Sequence, residues 1–286
     1  MYRKIVSKRN VRLVASGIKT HKVEIDKEVY YLDSRLWRKL EQLAGPHIAL
    51  WFDNKGRLVT VTSLQWRPVD NIELVNIILE LLGDNVEVVT KRVDDVELEL
   101  LVRLEDVRIP ELGYYTIAVH NVNDGSHALR IFNGFTVSDC SNIVFVGSRI
   151  FKRRIIHYVD RVNIHRLELI LQTDITRNVL RFIRLHEDLS RVVLDTNIAL
   201  AILEYSKTKN ILTRYIVEDV VERVVDEYRD NYLTLWDLLM SVTYVTTRSN
   251  RFWSCFDRAL TRLVKFVHLL DSYAVKYRDG VVYAVA

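Results

Sequence analysis

The sequence predicts an α+β protein, with an N-terminal antiparallel sheet and a few helices followed by a mostly α-helical C-terminal half. Three observations carry this expectation. Residues 86–146 alternate apolar and polar side chains at the strand period and are broken at short intervals by Asn-Asp-Gly and Asn-Gly pairs. Beyond residue 160 the apolar residues recur at helical spacing, and no proline interrupts them. The chain has 286 residues, 49% of them hydrophobic, which is ample material for a core that needs neither disulfides nor metals.

Val29 to Leu32 reads as the end of a strand, and Ser34 to Leu43 as a helix that Ser34 caps ahead of Leu36, Leu40 and Leu43. Ile48 to Phe52 and Leu58 to Thr62 flank Asp53-Asn54-Lys55-Gly56, a hairpin signal. Asp70 or Asn71 caps a helix through Leu74, Ile77, Ile78 and Leu81, which Gly83 closes. Val86, Val88 and Thr90 alternate. So do Leu98, Leu100 and Val102 against Glu97, Glu99 and Arg103, whose charged face is expected in water. Tyr114 to His120, His127 to Phe132, Phe135 to Val137 and Ile143 to Val146 complete an antiparallel meander, with turns at Asn123-Asp124-Gly125 and Asn133-Gly134. Helices follow around Leu167 to Ile175, Leu194 to Ile202, Ile216 to Val225, Leu233 to Thr246 and Phe252 to Leu270, and Val281 to Val285 returns as a strand. A soft boundary near 160 divides residues 1–160 from 161–286. No Gly, Ser or Pro linker marks it, so the halves are expected to pack together.

Several function classes are disfavoured. No run approaches the ~20 apolar residues of a membrane span, and the basic start from Met1 to Arg9 lacks the apolar stretch of a signal peptide. Cys140 and Cys255 lie far apart without the spacing of a zinc site or a disulfide framework, which points to a reducing, cytoplasmic setting. There is no phosphate-binding glycine loop, no dinucleotide fingerprint and no helical histidine pair for zinc. Ser126 and His127 are strand neighbours and point to opposite faces, the wrong geometry for a nucleophile and its base. Asp94 with Asp95, or Glu105 with Asp106, are carboxylate pairs of the kind a metal-dependent nuclease uses, but no lysine follows at close strand spacing and solvation accounts for them. No catalytic residue, metal ligand or cofactor is singled out.

The net charge of +4 and a pI near 8.9 are mild. The distribution says more. Arg149, Lys152, Arg153, Arg154, His157, Arg161, His165 and Arg166 form a basic run interleaved with Phe151 and Tyr158, cations for phosphates beside rings for bases. Arg248, Arg251, Arg258 and Arg262 near Phe252 and Trp253 make a second set, and Arg3, Lys4, Lys8, Arg9 and Arg12 a third. A solvated face explains each set as well as a binding face does. Arg well outnumbers Lys, and there are 3 Pro, 2 Met and 2 Cys, trends that recur in proteins of hot environments.

The run Asn121, Asn123, Asp124, Gly125, Ser126, then Arg130, Gly134, Cys140 and Asn142 resembles the central signature of the phage- and plasmid-like family called domain of unknown function 932. Leu233, Thr234, Leu235, Trp236 and Asp237, with Val242 and Thr243, are similar to a helical segment of the same family. Val137, Asp139 and Ile143 depart from the pattern. The resemblance implies a viral or plasmid source, here of a hyperthermophile. The turn residues also serve ordinary turn geometry, Cys140 reads as a small buried hydrophobe, and Trp236 reads as core. The expected function is non-enzymatic nucleic-acid binding, single-stranded DNA foremost, in replication, recombination or counter-defence. Its binding residues are the run from Arg149 to Arg166 together with Arg130. The alternative is an interaction module acting by homo-oligomerisation or on a host protein, motivated by Val242, Tyr244, Phe252, Trp253 and Phe256, and the third reading is a metal-dependent nuclease.

Overall fold

The computed structural model describes residues 1–17, 19–66, 68–124, 129–137, 142–150, 162–228, 232–249, 252 and 255–278; at 90–91, 148–150, 162–170, 172–174 and 278 it describes the backbone only. The α+β class holds, with antiparallel sheets first and the helices concentrated in the C-terminal half.

The first strands carry little alternation, yet they pair regularly. β1 (Tyr2–Ser7), β5 (His47–Phe52) and β6 (Leu58–Thr62) form one antiparallel sheet in the order β1-β5-β6; β2 (Val11–Ser16), β3 (Thr20–Ile25) and β4 (Glu28–Asp33) form another. Between β3 and β4 the turn residues Asp26 and Lys27 both hold positive φ, at 50° and 70°, so this hairpin shows no glycine in the sequence. Helix α1 (Ser34–Gln42) seals the two sheets. Its Leu36 and Leu40 join Val6, Val23, Ile25, Leu32, Ile48 and Leu50 in a closed apolar cluster. Its cap is Asp33 rather than Ser34, because the carboxylate one residue earlier reaches the Leu36 amide at 2.7 Å.

Helix α2 (Asn71–Leu82) is capped by Asp70, whose Oδ1 accepts from the amides of Ile72 and Glu73, and it ends at Gly83 with φ 84°. A five-stranded meander follows in sequential order: β7 (Val86–Val93), β8 (Glu97–Ile109), β9 (Gly113–Val122), β10 (Arg130–Val137) and β11 (Ile143–Ile150). Two expectations change here. Asn133-Gly134 is no turn: it lies inside β10 at a bulge against β11, where a Cβ on Gly134 would stand 2.3 Å from the Val144 carbonyl oxygen. Glu99 is not in water either, being 4% exposed, while Glu97 and Arg103 keep 30% and 28% of their side chains exposed.

The helical half comprises α3 (Val162–Arg191), α4 (Thr196–Thr208), α5 (Arg214–Tyr228), α6 (Leu235–Arg248) and α7 (Phe256–Arg278), with the short strands β12 (Val193–Leu194) and β13 (Leu233–Thr234) paired between them. Asp195 caps α4, and Thr234 with Asp237 forms a reciprocal capping box on α6. The helices close on one another and on the meander. Phe182 of α3 stacks on Phe135 of β10 at 4.0 Å and meets Trp236 of α6 edge-on at 5.8 Å. One apolar core therefore runs from Leu74 to Ala274 and crosses residue 160, while the break between cores falls between Trp66 and Leu74. Among the described residues no helix is long and apolar enough to cross a membrane. The strand expected at Val281 to Val285 lies outside the described residues.

Phe182→Ala removes a fully buried ring from the junction of sheet and helices. Urea denaturation should show a loss of about 3–5 kcal/mol.

Candidate functional site

Side chains alternate across a strand, so antiparallel register lines residues of neighbouring strands into rows on one face. One such row in the meander is ionisable on four neighbouring strands, β7 to β10. Arg92 of β7 stands opposite Glu99 of β8, Glu99 opposite His120 of β9, and His120 opposite Arg130 of β10. Glu97, two residues before Glu99, shares that face. Its Oε1 lies 3.6 Å from His120 Nε2, and the Arg92 guanidinium lies 3.8 Å from Glu97 and 3.7 Å from Glu99.

The far end is held by α7. Asp257, in its first turn, accepts from Arg130 Nη1 on both carboxylate oxygens at 2.8 and 2.9 Å, and Arg130 also donates to Thr261 Oγ1 at 3.2 Å. Asp257 Oδ1 is 3.9 Å from His120 Nδ1, so the imidazole stands between two carboxylates. Glu99, His120 and Asp257 are all buried, and charges out of water persist only when matched. Burial pushes the Glu99 carboxyl up from its ordinary range, Glu97 adds to this, and Arg92 works against it.

The row opens into a cleft of about 370 Å³ between the meander, α7 and α1, with Arg35, Cys255 and Arg258 on its walls. Two chemistries are available. One ligand atom each from Glu97, Glu99 and His120 can lie within 4.8 Å of one another, a cation-sized grouping. Arg35 and Arg258 offer cations to an anionic oxygen on the other walls.

No known protein family, curated protein or solved structure compared with this chain matches it. The geometry of the chain itself therefore carries the functional argument.

Of the residues singled out in the sequence, Arg130 is in the row, tied to Asp257. Phe151, Lys152, Arg153, Arg154, His157, Tyr158 and Arg161 lie outside the described residues, as do the side chains of Arg149 and Arg166. Gly125, Ser126 and Cys140 lie outside as well. Asn121, adjacent to His120 and so on the opposite face of β9, donates to Asn71 Oδ1 at 2.8 Å. Asn123 donates to the carbonyls of Val69 and Asp95 and accepts from the Val69 amide. Asp124 pairs with Arg35, and its carbonyl accepts from Lys39 and Thr60. Asn142 is remote, donating to the Met240 carbonyl at 3.2 Å and accepting from Arg248 at 3.4 Å. Trp236 packs against the core beside Phe182 and His186.

The other carboxylate pairs serve turns and surface pairs: Asp94 caps the amides of Val96 and Glu97, Asp95 accepts from the Asn54 amide, Glu105 pairs with Arg103, and Asp106 accepts from Asn85. Of the residues that suggested an apolar surplus in the helical half, Val242, Phe252 and Phe256 are buried and Tyr244 lies between the guanidiniums of Arg223 and Arg248 at 4.0 and 3.8 Å. Trp253 lies outside the described residues. Glu97, Glu99, His120 and Asp257 were not singled out. The strand alternation of Glu97 and Glu99 was a signal, but it read as solvation.

Because the folded pKa of Glu99 is raised, the unfolded chain loses this proton first as pH rises. Stability attached to the group is full below its ordinary value of 4.5 and falls as pH climbs through the raised folded value. Glu99→Gln carries no such loss. In chelator-treated buffer, the stability of Glu99→Gln relative to the parent should rise across that window and level off above it, read by urea denaturation at stepped pH.

Proposed function

We propose that this protein binds nucleic acid, single-stranded DNA foremost, without reacting with it, in the replication, recombination or counter-defence of a virus or plasmid. The supporting observation is a pair of matching basic stripes on neighbouring helices. Arg177, Arg181 and Arg184 recur on α3 at steps of four and three residues, which sets them on one face while the buried Asn178, Phe182 and Leu185 turn to the core. Arg258, Arg262 and Lys265 repeat those steps on α7, above the buried Leu260, Leu263 and Phe266.

Arg181 Nη2 lies 3.1 Å from His268 Nδ1, which joins the two helices along these faces. Asp188 and Asp271 line the groove beside Arg177, Arg181 and Arg184, so cations outnumber carboxylates in it. Arg166 belongs to the same helix, so the basic run of the sequence leads into the α3 stripe. A phosphate backbone laid along such a surface is gripped without regard to base sequence, and the counterions it sheds make binding steeply salt-dependent.

Assembly of several copies is a second reading with its own support. β2 is an edge strand that exposes Leu13 and Val14, and the opposite edge strand β4 exposes Val29 and Tyr31. Light scattering should show an oligomer, and a strict monomer over a wide concentration range removes this reading.

For nucleic-acid binding, affinity for a labelled oligonucleotide is measured across salt concentrations. Reversing the exposed Arg177 and Arg184 together with the partly buried Arg181 to Glu should lower melting only slightly, because surface charges contribute only about 0–1 kcal/mol each and the Arg181 contact is with a single His268 nitrogen. Binding should weaken strongly, with the salt slope shallower by ~0.7 per lost contact. Reversal of Lys152, Arg153 and Arg154 should act in the same direction. Parent-like affinity and slope in both variants, or cleavage of the strand, would contradict the proposal.

A further inference from the structure

We infer that Glu97, Glu99 and His120 form a binding site for one divalent transition-metal ion on the wall of the cleft. It stands on residues other than the basic stripes and does not depend on nucleic-acid binding.

The three side chains are delivered by paired strands. Glu99 and His120 are direct cross-strand partners, and Glu97 is the next residue of β8 on the same face. Their nearest ligand atoms fall within 4.8 Å of one another, with Glu97 Oε1 and His120 Nε2 at 3.6 Å. An ion bound at ~2.0–2.2 Å separates its ligand atoms by about 3–4 Å, so small side-chain rotations close the set without moving the sheet.

A second observation, outside the three ligands, concerns the other imidazole nitrogen. A metal-bound histidine characteristically directs its far nitrogen at a carboxylate, which fixes the tautomer and the ring plane. His120 approaches this arrangement: Nε2 faces Glu97, while Nδ1 is directed at the buried Asp257 carboxylate at 3.9 Å, a hydrogen bond that forms only when the ring turns, and Asp257 is itself pinned by Arg130 from β10. Asp257 and Arg130 are 127 residues apart in the chain, so this support is built by the tertiary fold.

Charge balance points the same way. Glu97 and Glu99 are like charges side by side, Glu99 with 5% of its side chain exposed, and the cation beside them is Arg92 at 3.7–3.8 Å. Arg92 sits on the edge strand β7 with 59% of its side chain exposed, so it can swing into water and yield its place to an ion. One nitrogen and two oxygen donors suit the borderline ion Zn²⁺ and are also open to Mn²⁺, a harder ion that the two carboxylates favour. They are too few and too mixed for Ca²⁺, which takes six to eight oxygens, and Mg²⁺ prefers oxygen and water throughout. The three residues line the cleft, whose walls also carry Arg258 and the Arg35 that pairs with Asp124, cations that would favour an anionic oxygen beside a bound ion.

The test uses the full-length, tag-free chain stripped with chelator and titrated calorimetrically with ZnCl₂ and MnCl₂, with MgCl₂ and CaCl₂ as oxygen-preferring controls. One equivalent of a transition ion should bind and raise the melting temperature. Glu99→Gln and His120→Asn, confirmed as folded by melting in chelator, should bind at least 10-fold more weakly, and the positioning variant Asp257→Asn about 10-fold more weakly. Co²⁺ should give a visible absorption band in the parent that His120→Asn loses. No uptake of either transition ion by the parent overturns the inference, and so does undiminished uptake by Glu99→Gln and His120→Asn, which would put the ion elsewhere.

Discussion

The arrangement of this protein depends on β9 being buried on both faces. A central strand of an antiparallel sheet commonly keeps one face in water, but here α2 and α3 cover one side and the start of α7 reaches the other. Every residue from Tyr115 to Asn123 is buried. Polar side chains along that strand cannot be left to solvent, so each must find a protein partner or an ion.

The two faces solve this differently. On one face the answer is neutral: Asn121 and Asn123 stitch β9 to the loops at 69–71 and 94–95, and Tyr115 donates to Asn133 while accepting from Asn178 of α3. On the other face it is ionic, with His120 set among Glu97, Glu99 and Asp257 and bounded by Arg92 and Arg130. The asparagine face fixes position, since each amide offers donors and an acceptor in one plane. The ionic face is adjustable, because one of its compensating cations sits at the edge of the sheet in water. Asp124, next in the chain, then ties this junction to Arg35, Lys39 and Thr60 of the N-terminal unit, so the cleft is walled by both cores.

The helical half adds a surface of another kind. Its inward faces are spent on Phe182, Leu260 and their neighbours, and the 3.6-residue period leaves the outward residues in straight rows. Among those outward residues are Arg177, Arg181 and Arg184 on α3 and Arg258, Arg262 and Lys265 on α7, with Asp188 and Asp271 beside the α3 set. The cleft and this surface meet at Arg258 but differ in character: the first concentrates buried, opposed charges at a point, and the second spreads mainly basic side chains along the helices, with Asp188 and Asp271 among them.

The sequence by itself determined the class and most elements. The Asp53-to-Gly56 turn signal found β5 and β6, alternation found the meander, helical spacing found α1 through α7, and Asp70 and Gly83 fixed the ends of α2, because these signals act within a few residues. It missed β1 to β3, whose hairpin turns on Asp26 and Lys27 rather than glycine, and it mistook Gly134 for a turn because close strand contact and chain reversal both demand glycine. The charged row was decided only in three dimensions. An irregularity between Leu104 and Arg108 shifts the register of β8 on β9 by an odd number of residues, so counting back from the tight turn would set His120 opposite Val102, on the wrong face. The true register sets it opposite Glu99, and Asp257 arrives from the far end of the chain. Local sequence carries the period of a strand but not its offset against its neighbour, and that offset settles which charges meet.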